Sequence, residues 1–123
     1  MTFWYLASPY TKYADGIEAA YRLACREQSR LILAGVPVFC PISHTHGAAI
    51  HGDIDPADHQ VWLPADEPFI RAASGIIMLR MDGWAASYGM QFEKHRFQHA
   101  RKPVVYMDPG GPIPEELTKD FTP

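Results

Sequence analysis

Four short apolar runs punctuate the chain: FWYLA (3–7), VPVFCPI (36–42), GIIMLR (75–80) and KPVVYM (102–107). Each is separated from the next by a stretch long enough to hold a helix. Runs of this length suit strands buried on both faces, and strands alternating with helices form parallel sheets covered on both sides. The expected fold class is therefore α/β: a single-domain three-layer sandwich with a mostly parallel central sheet, flavodoxin/Rossmann-like. Ligands of such folds bind beyond the carboxyl ends of the strands. Here those ends lead into segments 8–15, 41–63 and 81–89.

Between the runs, Ile17, Ala20, Tyr21, Ala24, Leu31 and Ile32 keep one helical stripe over 16–34, and Gly35 supplies a stop. Residues 43–62 (SHTHGAAIHGDIDPADHQVW) read as a long polar loop, a length usually reserved for function. PADEPFIRAA (64–73) suits a short helix with proline in its first turn. Ser87–Arg101 reads as a further helix, and a short one is expected near Pro114–Lys119.

At 123 residues and 47% apolar content, the chain matches one domain spanning 1–123. A net charge of −3 provides no basic field for a nucleic-acid polymer. The opening MTFWYLASPY contains neither a basic leader nor a membrane-length apolar run, so a cytoplasmic protein without a membrane partner is expected. Cys25 and Cys40 fall in an expected helix and strand as small apolar groups, and no CxxC spacing exists.

Two acids break the pattern. In SYGMQFEKHRFQHA (87–100), Met90, Phe97 and Ala100 share a stripe, and Glu93 sits within it. It lies about one and a half turns into the helix, too deep for an N-cap. A buried carboxylate must shift its pKa, find partners such as an arginine or tyrosine hydroxyls, or face a cleft. Asp66 likewise shares a face with Phe69, Ile70 and Ala73, with a first-turn or N-cap role as the alternative. Paired carboxyl groups in different protonation states are what glycosidic cleavage requires.

YLASPY, ADEPFIRAASGIIML and DGWAASYGMQFEKHRFQHARKPV together resemble the nucleoside 2-deoxyribosyltransferase superfamily, including its nucleoside 5′-monophosphate N-glycosidase branch. The resemblance implies an enzyme acting on a small nucleotide or nucleoside. Glu93 matches the nucleophile, Asp66 the acid serving the departing base, and Tyr5 a strand tyrosine orienting the nucleophile. Ser87 falls where the transferases carry an Asp for the 5′-hydroxyl and the nucleotide hydrolases a Ser for a 5′-phosphate. A hydroxyl at a helix N-terminus donates to a phosphate that a carboxylate would repel, and Gly89 leaves backbone N–H groups approachable. Ser8, Tyr10, Thr11 and Lys12 complete the expected binding set. SPYTKYADG (8–16) stands where the best-studied hydrolases have a glycine-rich phosphate loop, and Ser74-Gly75 replaces a strand-leading acid.

The reaction so implied is cleavage of a (2-deoxy)nucleoside 5′-monophosphate through a Glu93 glycosyl ester, with Asp66 held protonated. It needs neither metal nor organic cofactor. A homodimer or larger assembly is implied by the resemblance, with Tyr88, Phe92 and His99 available to face a partner. Transfer to a second base and a non-catalytic nucleotide-binding module are the alternatives. A metal site is another: His44, His46, His51 and His59 lie near Asp53, Asp55 and Asp58, and His-x-His on an extended segment would place both rings on one side. Trp62 and Trp84 lie near the expected mouth, where an indole could stack on a base.

Overall fold

The computed structural model describes residues 2–119. Its four strands are β1 (Trp4–Ala7), β2 (Val38–Phe39), β3 (Gly75–Leu79) and β4 (Val104–Met107). All pair in parallel in the order β2-β1-β3-β4. The helices are α1 (Ile17–Leu33), α2 (Pro41–His51), α3 (His59–Ala72), α4 (Tyr88–His99) and α5 (Glu116–Lys119), with a 3-10 turn at Trp84–Ala86. The α/β sandwich is thus the observed architecture. Its chain reverses direction of winding between β1 and β3, the switch point at which such sheets open a crevice.

Two apolar layers flank the sheet. On one face, Leu6, Ile77, Leu79 and Met107 pack with Ala20, Ala24 and Leu31 of α1 and Leu117 of α5. On the other, Tyr5, Ala7, Ile76 and Met78 pack with Ile70 of α3 and Met90 and Phe97 of α4. Every residue of β1 and β3 is buried, as expected of central parallel strands. β4 is an edge strand instead of a buried one: Tyr106 is exposed and Val104 only half-buried. Of the α1 stripe, Ile32 turns to solvent, while Gly35 adopts φ 84° and ends the helix as expected.

The largest departure lies in residues 43–62. They do not form a loop: α2 occupies 41–51 and α3 begins at His59. Pro41 ends the second apolar run and starts α2 at its first position, so β2 keeps only two residues and Cys40 becomes the N-cap. A histidine, His46, takes an apolar position in α2, which hides the helical stripe from a hydrophobicity reading. Asp58 caps α3, its side chain accepting from Gln60 N at 3.1 Å. Pro64 and Pro68 therefore lie inside α3, not in its first turn. Pro64, like Gln60 and Pro68, is exposed, so water replaces the backbone bonds those rings forfeit.

One glycine joins the two loops that frame the crevice. Gly83 adopts φ 86°, and a Cβ there would lie 2.3 Å from the Lys12 carbonyl oxygen. The β1–α1 and β3–α4 loops meet at that contact.

Candidate active site

At the carboxyl edge of the sheet, a cleft opens between the β1–α1 loop, α2, α3 and the start of α4. Its interior is about 150 Å³. Ser8, Tyr10, Thr11, Lys12, Asp66, Ser87, Gly89 and Glu93 all border it. Every substrate-contacting residue expected from the sequence is thus brought together. Tyr5 lies beneath, fully buried in the sheet.

Glu93 is held by β1 from below. The Tyr5 hydroxyl donates to Glu93 Oε2. Burial first, and then the Glu93 charge, lift the Tyr5 pKa well above its ordinary value, so this phenol keeps its proton to donate. Of the partners expected for Glu93, the tyrosine is present and, among the described residues, no arginine pairs with it. The nearby Arg96 instead pairs with Glu67, clamping α4 to α3.

Asp66 lies two turns inside α3, because the helix begins at His59. That position removes its N-cap and first-turn explanation. Its Oδ1 is buried and, among the described residues, has no hydrogen-bond partner; the same holds for Ser8 Oγ. Burial raises Asp66 to about 6. Burial raises Glu93 to about 8, with the Tyr5 hydrogen bond opposing the rise and the Asp66 charge adding to it.

Burial favours the protonated form of both carboxyl groups, and more strongly for the deeper Glu93. The physical reason is depth: Glu93 is 8% exposed and walled by Met90 and Phe97, whereas Asp66 is half-buried.

Ser87 caps α4, its Oγ accepting from Met90 N at 3.3 Å. As an acceptor in that bond it keeps its own O–H to donate, so the cap and ligand roles coexist. A Cβ on Gly89 would meet nothing within 4 Å, so the α4 N-terminus faces open cleft there. Thr11 and Lys12 are exposed at the rim.

The histidines do not form the expected metal geometry. His44 and His46 lie on a helix, not an extended segment, and face different ways. His44 packs on Phe39 and Phe69, while the buried His46 bonds Tyr10 and Glu18. Among the described residues no group of three or more His, Cys, Asp or Glu could hold an ion. Trp62 borders the cleft with its indole N–H given to the Asp55 carbonyl, whereas Trp84 packs into the core beside Tyr106. His46 and Ser8 contribute more than their residue types advertised. A histidine occupying an apolar helix position was the signal for the first, and the resemblance had already placed the second in the expected binding set.

Fold and site together define a parallel-sheet α/β protein with a paired-carboxylate cleft at its topological switch point. The chain belongs to the DUF1937 family, a domain of unknown function, whose model matches residues 2–109 and so spans every cleft residue. No curated protein matches it. Among the described residues, no helix is long and apolar enough to cross a membrane.

Proposed function

We propose that this protein cleaves the N-glycosidic bond of a nucleoside or 2-deoxynucleoside 5′-monophosphate, releasing the base and a sugar phosphate. The observation that carries this reading is the meeting of Glu93 and Asp66 in one cleft, both pushed toward the protonated form by burial, a setting in which the two can share one proton near neutrality. A nucleophile and an acid must share one proton in this way.

The 5′-phosphate sits at the α4 N-terminus, taking donors from Ser87 and the first backbone amides, with Lys12 supplying charge at the rim. As positive charge grows on C1′ beside Glu93, the ionised form of that carboxyl becomes the favoured one. Asp66, covered by the base, takes up the proton. Glu93 attacks C1′, the C1′–N bond breaks with its electron pair going to the base nitrogen, and Asp66 protonates that nitrogen. Tyr5 holds the attacking carboxylate by its other oxygen. Water then attacks C1′ of the glycosyl ester, giving a proton to Asp66 and returning Glu93 as a carboxylate. A second base arriving before water turns the same steps into transfer.

Chromatographic assay of nucleosides and their monophosphates for free base tests the reading. Glu93→Ala is expected to abolish release. Ser87→Ala is expected to raise KM for monophosphates by about tenfold, with a smaller effect on nucleosides. Near wild-type release by Glu93→Ala would end the proposal.

A further inference from the structure

One network beside the cleft, centred on a buried histidine, has no part in those steps. His46 of α2 is 5% exposed and lies face to face with Tyr21, ring centroids 4.2 Å apart at 18°. Its Nε2 is 3.1 Å from Glu18 Oε1 of α1, and its Nδ1 is 2.6 Å from the Tyr10 hydroxyl. Tyr10 and His46 both border the cleft. The stack holds the imidazole plane, and the two bonds at its ends hold its rotation.

The chemistry of the chain orients every proton in it. Glu18 is held ionised by Arg22 and by His46, so it accepts only. Nε2 must then carry hydrogen. In the neutral ring, Nδ1 is left as an acceptor, and the only proton available to it is the Tyr10 hydroxyl proton. Tyr10 thus spends its donor inward and offers the cleft an oxygen with acceptor capacity. A hydroxyl is ordinarily ambivalent; this one is committed.

Where that oxygen lies decides what it reads. Tyr10 and His46 stand on the β1/β2 side, opposite Ser87 and Gly89, which follow β3. Phosphate oxygens at the α4 N-terminus are acceptors themselves and have no use for Tyr10. With the sugar over Glu93, the base extends past Asp66 toward α2. We infer that Tyr10, oriented by His46 and Glu18, is a specificity residue that accepts a hydrogen bond from an amino group of the ligand's base, favouring amino-substituted bases over their oxo counterparts. This rests on the nucleotide reading above. Glu18 and His46 are positioning residues; only Tyr10 touches the ligand.

Two measurements separate the possibilities. Nitrogen-15 NMR of the free protein reads the His46 tautomer without any ligand: Nε2–H is expected in the wild type, and a mixture in Glu18→Gln, whose amide can donate as well as accept. An Nδ1–H tautomer, or a ring protonated on both nitrogens at pH 7, in the wild type overturns the inference. Base release and calorimetric binding are then compared for two pairs, deoxyadenylate against deoxyinosinate and deoxycytidylate against deoxyuridylate. In at least one pair the amino member is expected to have a kcat/KM at least about tenfold higher. Tyr10→Phe is expected to lower the amino member's kcat/KM about tenfold more than the oxo member's. Glu18→Gln is expected to erode the preference in the same direction with folding intact. Equal rates within both pairs, or a preference that survives Tyr10→Phe, overturns this inference alone. Failure of all four nucleotides to bind or release base overturns it together with the proposed function.

Discussion

Glu93 is a carboxyl group that the fold tolerates at a loss. Its folded pKa, about 8, stands above the ordinary 4.5, so its protonated form is the one the interior accepts. The sign follows: stability is fully present below the ordinary value and falls as pH rises toward 8. Glu93→Gln keeps the shape, keeps an acceptor for Tyr5 and removes the ionisation. Denaturant unfolding is expected to show the variant about 1–3 kcal/mol more stable at pH 8 and nearly unchanged at pH 5. An equal difference at both pH values would contradict the burial cause. A carboxylate inside an apolar stripe made Glu93 legible in the sequence, and the same violation marked Asp66. What the stripe could not carry was depth, which set the order of the two pKa values. That order depends on how Met90, Phe97 and α3 close over each group, a property of packing and not of spacing.

At the scale of elements, α4 presents its N-terminus to the cleft and Gly89 is the residue that keeps the approach open. A Cβ there meets nothing, and alanine suits a helix better than glycine. Gly89→Ala is expected to raise stability by about 0.5–1 kcal/mol while weakening nucleotide binding several-fold, measured by thermal unfolding and calorimetry on one preparation. Gly83→Ala should behave oppositely. Its φ of 86° and the close Lys12 carbonyl make any side chain strained, so a loss of about 2–4 kcal/mol is expected, with the cleft loops forced apart. The strands were legible because β1 and β3 are uninterrupted apolar runs. α2 was not, because His46 replaces an apolar residue and Ser43, Thr45 and Gly47 lower its helical character. The start of α3 was displaced by Pro64, which mimics a first-turn proline although Asp58 caps the helix a turn and a half earlier.

The whole molecule places these parts through one topological fact, the strand order β2-β1-β3-β4. The switch between β1 and β3 parts the loops, β1 carries Tyr5 under Glu93, and α3 and α4 bring the two carboxyl groups over the same opening. Because the pair must hold one proton to act, kcat/KM is expected to be bell-shaped in pH, with limbs near the free-site values of about 6 and about 8. A profile flat from pH 5 to 9 would contradict a shared proton. Most direct of all is the release of free base from nucleoside 5′-monophosphates by the wild type and by Glu93→Gln, compared at pH 7. The account expects release by the first and a loss of at least about a thousandfold in the second, although the second folds at least as well. Comparable release by both, or none by the wild type from any nucleotide or nucleoside, would contradict it.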